Sequence, residues 1–351
     1  MATLGWVKEA FQSARTDNLI NSSNYSIINN VTKSRNNLAY MLPFSILTTI
    51  VNGLVCYAIR KRGLLRLSIY SFIFNMCISD ILAPVAITIN SFIINEIQLQ
   101  NKLLYEISCK FFNYVLTVSM AVSMISFTIM AVDRFYITVL RKRRRLLFSS
   151  KRSVRLTIFC IWLHGIITSI PVLQIMAMVY EPNRACDIIY VGDYYNIPFF
   201  TFFLIINYFI PVLITAILYI FIVIRLKIAV MASLPYGRTV PPVIYVNKRK
   251  AINTIKMIAT TTVFYVLTSF PYVVIMLILS DAKVSMIELR RKGPVYSLLI
   301  TLGFLMSALS CIENAIVCVV MSKELRKTII NSLRTLFGRK TVHYRIHVKQ
   351  K

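Results

Sequence analysis

Negative charge is scarce in this chain. Only 13 of its 351 residues are Asp or Glu, against 40 Lys and Arg, which leaves a net charge of +27. Charged residues of both signs make up 15%, where a soluble domain carries about 25%. Three His and seven Cys, with no metal-type spacing among them, exclude a His-rich metal site and a disulfide-built scaffold. Paired carboxylates, zinc motifs and nucleophile–base constellations are missing, so nothing in the sequence indicates an enzyme. No internal repeat is visible, which argues against an ion or solute transporter of the repeat-built kind. What the chain has in excess is apolar: 57% of it is hydrophobic, against a usual share of about 45–50%. That excess rules out disorder over most of the length. Its apolar runs are too long for a soluble core, so the basic excess does not indicate a nucleic-acid binder.

A helix crossing the hydrocarbon core needs about 20 mostly apolar residues. Seven stretches qualify, at roughly 40–59, 67–94, 109–138, 154–179, 195–224, 251–279 and 295–321. Lipid-exposed strands would leave backbone groups unsatisfied at several kcal/mol each, and a closed barrel would show short alternating segments, which are not seen. The expected fold class is an all-α membrane protein, a seven-transmembrane helix bundle.

Positive charge sorts by loop. Arg134, the segments 60–66, 141–155 and 225–256, and the tail from 323 hold 29 of the 40 basic residues; the run Arg141, Lys142, Arg143, Arg144, Arg145 is the densest. Basic loops stay cytoplasmic, which places the N-terminus outside and the C-terminus inside. The only three N-glycosylation triplets start at Asn21, Asn24 and Asn30, all in the tail assigned to the outside. Residues 1–38 lack a continuous apolar core, so no cleavable signal peptide is expected, and the first span would serve as its own insertion signal. The basic face also suits anionic lipid or a soluble partner steered by charge.

Ionisable groups inside spans cost at least about 2.5–3.5 kcal/mol on insertion scales, so each calls for a role. Asp80 lies 13 residues into the second span, about 20 Å from its inner start. Ser123, Ser310 and Asn314 are its candidate partners. A carboxylate among hydroxyls and amides suits a hard monovalent cation such as sodium; a protonated Asp in a structural polar cluster is the alternative. Asp133 and Arg134 sit at the inner end of the third span, 24 residues after Cys109, or about 36 Å of helix. Cys109 and Cys186 both fall on the oxidising side, which makes them the economical disulfide pair. The other five Cys fall inside spans and read as buried thiols. Pro84, Pro171, Pro211 and Pro271 interrupt four spans, and such kinks allow a bundle two packings.

In order and spacing, these residues resemble the rhodopsin-family (class A) G-protein-coupled receptors over about residues 40–336. Asn52 matches the central Asn of the first span. Asn75-Met76-Cys77-Ile78-Ser79-Asp80-Ile81-Leu82 resembles N-L-A-x-A-D-L-L. Cys109 and Asp133-Arg134-Phe135 match the disulfide Cys and D-R-Y. Trp162 and Pro171 match the fourth span, and Pro211 with Tyr219 the fifth. Phe270-Pro271-Tyr272 sits at W-x-P, and Asn314-Ala315-Ile316-Val317-Cys318 at N-P-x-x-Y. Leu325-Arg326 resembles the start of a short amphipathic eighth helix. The resemblance implies a tail at 1–39, a bundle at 40–322, the eighth helix at 323–337 and a final tail at 338–351.

Departures are specific. Ser269 stands where relatives carry a switch Trp. Ala315 and Cys318 replace the seventh-span Pro and Tyr, so no Tyr can pair with Tyr219 across the bundle. No acid lies in 248–258 to hold Arg134. A low barrier to opening, and hence basal activity, is the expectation. The resemblance implies a cell-membrane receptor that passes an extracellular signal to a heterotrimeric G protein through Asp133, Arg134, Tyr219 and Asn314. A non-signalling decoy or scavenger is the alternative that the altered seventh span keeps open. Leu116 replaces the Asp of amine receptors, and the seventh span has no Lys for retinal. The ligand expected is a peptide or a small apolar molecule among Leu116, Met120, Phe203, Tyr272, Val273 and Ala308. Glu181, Asp187 and Asp193 on one outer segment, and Arg290, Arg291 and Lys292 on another, could meet charged peptide ends. Apart from the sodium ion at Asp80, no cofactor or metal is expected. The tail after 337 has few Ser and Thr and no Cys, so arrestin capture there would be weak and palmitoylation is excluded.

Overall fold

The computed structural model of the chain describes residues 41–97, 101–140, 148, 150–180, 185–231 and 242–336. The three glycosylation triplets, the 1–39 and 338–351 tails, Glu181 and the run 141–145 lie outside the described residues. Seven helical spans are long and apolar enough to cross a bilayer. The first is α1, Met41–Lys61. Gly63, at φ 63°, turns the chain tightly into a 3₁₀ turn at Leu64–Arg66. Then come α2 at Ser68–Glu96 and α3 at Lys102–Phe135, which continues as a π-helical turn to Leu140. Asn101 starts α3 by accepting from the Leu103 N–H at 2.9 Å.

The fourth span is shorter than the apolar run suggests. Helix α4 covers Lys151–Ser169, capped by Ser150, which accepts from the Ser153 N–H at 3.0 Å. Pro171 breaks it, and a single turn, α5 (Val172–Ile175), follows. Residues 176–179, expected at the end of this span, instead form strand β1 (Met176–Val179), paired antiparallel with β2 (Ala185–Ile188). The all-α bundle therefore carries one small hairpin on its outer end. Methionines and small residues there are apolar enough to extend a hydropathy window, but Pro171 fixes where the helix stops.

The fifth span joins α6 (Asp193–Leu204) to α7 (Ile210–Met231) through a π-helical turn at Ile205–Phe209. That turn directly precedes Pro211, whose missing N–H disturbs the ladder at this point. Helix α8, Pro242–Ala282, is a continuous rod whose apolar part, Ile258–Ala282, is the sixth span. A short α9 (Met286–Arg291), closed by a capping box between Ser285 and Glu288, leads to α10 (Pro294–Met321), the seventh span. Helix α11, Lys323–Leu336, is strongly amphipathic and matches the expected eighth helix.

Helix α3 is the axis of the bundle and packs against α2, α4, α7 and α8. The buried core has an inner half around Phe72, Met76, Phe127, Met130 and Ala315, and an outer half around Phe200, Ile275, Leu279 and Ile300. Leu325 and Ile329 of α11 join the inner half. Large apolar side chains also face outward, among them Phe159, Leu213 and Val263. A belt of that kind needs a lipid solvent. Two glycines set close helix contacts. A Cβ on Gly165 would meet the Val118 carbonyl at 3.2 Å, and one on Gly303 would collide with the Ile275 side chain. Small residues at such crossings let membrane helices approach.

Candidate functional site

Three regions lie along α3, from outer to inner end. At the outer end an open cavity of about 390 Å³ lies between the hairpin and the spans. It is joined below to an apolar one of about 160 Å³, and Leu116, Tyr272 and Phe304 line both. Phe203 belongs to the outer wall, and Met120 and Ala308 to the deeper one. Val273 lines neither; it is packed in the outer core. The two cavities thus collect five of the six residues singled out from sequence.

The hairpin is tied over this cavity at several points. Cys109 and Cys186 form a disulfide with Cα atoms 5.6 Å apart, joining the start of α3 to β2. Asn113, one turn below, donates to the Cys109 carbonyl at 2.9 Å and to Cys186 Sγ at 3.1 Å. Glu106 accepts from the Met178 N–H at 2.9 Å and pairs with Lys110 at 3.0 Å. Asp187 accepts from the Ile188 N–H at 2.9 Å and from the Ile287 N–H at 3.1 Å, which fastens β2 to α9. Burial pushes the Asp187 carboxyl above the usual carboxylate range, against the pull of those N–H donors. Asp193 is engaged by Lys283 at 2.6 Å and by Tyr190 at 2.6 Å. Arg290, Arg291 and Lys292 are exposed. Of the described acids there, Asp187 and Asp193 are thus each engaged by neighbouring residues, while these three cations are exposed.

The middle region is a polar cluster in the bundle. Asp80 accepts from Ser123 Oγ at 2.9 Å and from Asn314 Nδ2 at 3.0 Å. Ser79 and Ser123 share a hydrogen bond of 2.7 Å. Ser310 sits beside the cluster, but its hydroxyl donates to the Ser307 carbonyl at 2.7 Å, and its own carbonyl accepts from Asn314 at 3.2 Å. Asn52 donates to the Cys311 carbonyl at 2.9 Å, tying α1 to α10. Trp162 donates to Asn75 Oδ1 at 2.7 Å, and Asn75 donates to Ser126 at 3.2 Å. Asn314 Oδ1 and Asn52 Oδ1 are buried with no hydrogen-bond partner among the described residues. Asn314, whose amide nitrogen donates to Asp80, thus keeps an unused oxygen of the kind that fits a hard cation such as sodium.

Two contacts here escaped the sequence reading. Tyr265, on the sixth span, donates to the Met120 carbonyl at 3.2 Å and stacks on Phe127 at 4.9 Å between ring centroids. Ser269 turns its hydroxyl onto the Tyr265 carbonyl of its own helix at 2.6 Å and lies against Tyr208 of the fifth span. Glu313 accepts from Thr268 at 3.0 Å, which ties the sixth span to the seventh. A tyrosine and a glutamate inside apolar runs must find partners; which ones depends on helix rotation, which spacing alone does not give.

At the inner end Asp133 accepts from Ser68 Oγ at 2.8 Å and pairs with Arg134 at 2.9 Å. Tyr219 faces Arg134 and Thr262. Among the described residues the inner part of α8 brings no carboxylate to Arg134, as its sequence foretold.

The family model for the 7 transmembrane receptor (rhodopsin family) matches residues 51–326. A QRFP-like peptide receptor from Branchiostoma floridae is 22% identical over 299 residues, covering 82% of this chain and 74% of that protein.

Proposed function

Since the chain belongs to the rhodopsin family of seven-transmembrane receptors, we propose that it receives an extracellular peptide and passes the signal to a heterotrimeric G protein. It is a multi-pass membrane protein with seven spans, not an enzyme. The observation that carries the proposal is that one helix, α3, bears the disulfide-tied outer cavity at one end and the Asp133–Arg134 corner at the other. The basic-loop distribution supports an N-terminus outside and a C-terminus in the cytoplasm.

Ligand binding acts by its different affinity for two packings of the bundle. In the closed packing Arg134 is held by Asp133, and Asp133 by Ser68. Outward movement of the inner end of α8 opens a floor in which Arg134 meets the G protein. No acid on the inner part of α8 opposes that movement and no Tyr at position 318 rewards it, so the barrier rests on Tyr265–Met120 and Thr268–Glu313. A measurable ligand-free activity is the expected result. Sodium, where bound, would be held by Asp80 with Ser123 and Asn314, and it supplies positive charge that neutralises the carboxylate. Ser310 joins that set only if its hydroxyl turns from Ser307.

The relative named as a peptide receptor and the exposed Arg290, Arg291 and Lys292 support a peptide with acidic groups outside the cavity. The apolar inner compartment supports an apolar end, and a small apolar ligand is the second fit. Ala315 and Cys318, in place of the family's Pro and Tyr, favour one other reading, a decoy or scavenger that binds without signalling. Nucleotide exchange on a panel of purified heterotrimeric G proteins, in nanodiscs and without ligand, separates the two. A signalling receptor accelerates exchange on at least one of them, and Arg134→Ala abolishes the acceleration. No acceleration on any G protein supports the decoy.

A further inference from the structure

We propose that the groove between α1 and α2 at their α11 end binds one anionic glycerophospholipid, its phosphate on Arg60 and Lys61 and an acyl chain along α1. The groove has a volume of about 680 Å³ and is lined by Gly53, Cys56, Tyr57, Arg60, Lys61 and Phe74. On α1 these residues recur every three or four positions and so share one helix face. The same face continues toward the outer end through Ile46 and Ile50, exposed by 51% and 54%. Gly53 makes a notch in that stripe, where an added Cβ would meet nothing within 4 Å.

The two ends of the groove differ in chemistry. Gly53, Cys56 and Phe74 give an apolar floor suited to a hydrocarbon chain. Tyr57 marks the level where chain gives way to headgroup, as aromatic rings do at membrane interfaces. Arg60 and Lys61 are exposed at the mouth, and the carboxylates Asp80 and Asp133 of the neighbouring α2 and α3 are buried and bonded elsewhere. Lys61 is held in place: Nζ donates to Tyr57 at 3.0 Å and to Ser332 of α11 at 3.1 Å. Arg62, next along, bonds Thr328 of the same helix. Cation, aromatic ring and apolar notch therefore lie in the order in which a phospholipid presents phosphate, glycerol and chain. Positive charge at the mouth selects an anionic headgroup over a zwitterionic one. The site depends on the span assignment and not on G-protein coupling.

The test uses the purified full-length chain in detergent micelles and native mass spectrometry, with phosphatidylserine or phosphatidylcholine of matched chains added. Each basic side chain near an anionic group contributes about 1 kcal/mol, or roughly fivefold in affinity. Phosphatidylserine should be retained on the order of tenfold better than phosphatidylcholine. Arg60→Gln should reduce the preference about fivefold. Gly53→Phe, whose Cβ would meet nothing within 4 Å, should displace both lipids from this site. Far-ultraviolet circular dichroism confirms that each variant is folded. Equal retention of the two lipids, or a phosphatidylserine preference untouched by both variants, overturns the proposal, and neither outcome bears on signalling.

Discussion

At the residue scale the most informative side chains are polar ones that apolar surroundings force into pairs. Tyr265→Phe removes only the hydroxyl that reaches the Met120 carbonyl between the third and sixth spans. Interhelical hydrogen bonds in membranes contribute about 0.6 kcal/mol on average. The melting temperature should therefore fall only slightly, while ligand-free nucleotide exchange rises a few-fold, in keeping with a bond that holds the closed packing. An unchanged exchange rate would remove Tyr265 from the switch. Asp187 makes a prediction about pH. Its folded-state carboxyl is raised by burial, so its contribution to stability is complete below the ordinary carboxylate value and is lost as pH rises through the raised one. The melting temperature should fall over that rise, and Asp187→Asn should flatten the dependence. These pairings were only partly legible in the sequence. The Asp80, Ser123 and Asn314 set could be read because all three are polar residues inside apolar spans, two of them in matching motifs. Tyr265, Thr268 and Glu313 could not be paired, because their contacts depend on how far each helix is rotated.

At the element scale, helix ends and interruptions decide the architecture. Caps at Asn101, Ser150 and Ser285, the break at Pro171 and the first-turn Pro294 are local signals, and the helices start and stop there. The hairpin was missed because Met176–Val179 is as apolar as a span, and period-two burial is too short to detect over four residues. Its position over the cavity depends on the Cys109–Cys186 bond. Cys109→Ser should lower stability by about 2–4 kcal/mol and destroy ligand binding, with nucleotide exchange retained; thermal denaturation and exchange assays read the two separately. The sixth and seventh spans meet through Gly303. Gly303→Leu forces a side chain against Ile275 and the Pro271 carbonyl, and overpacking of this kind costs about 1–3 kcal/mol. Glu313→Gln should preserve the bond to Thr268, whereas Glu313→Leu should break it and raise ligand-free exchange. Equal exchange in the two variants would show that the contact does not hold the spans together.

At the scale of the whole molecule, the uneven distribution of charge is what gives seven apolar rods a direction. A net charge of +27 would be an odd burden for a soluble domain of this length, but concentrated on one side of a bilayer it sets topology and draws anionic lipid. Fold class was legible from length and hydropathy alone, since lipid leaves few choices to a backbone. Ligand identity was not, because the cavity wall is shared among several helices, and polar side chains on it such as Asn90, Asn113 and Asp187 are already bonded within the fold. The central claim is that the two ends of α3 face different aqueous compartments, one bearing the sugars and the other Arg134. Its most direct test combines glycosidase treatment with protease protection in sealed, right-side-out vesicles. The account predicts sugars on Asn21, Asn24 or Asn30 accessible from outside, while the 141–145 segment is cut only after the vesicles are opened. Cleavage of 141–145 in intact vesicles from the side that carries the sugars would contradict it.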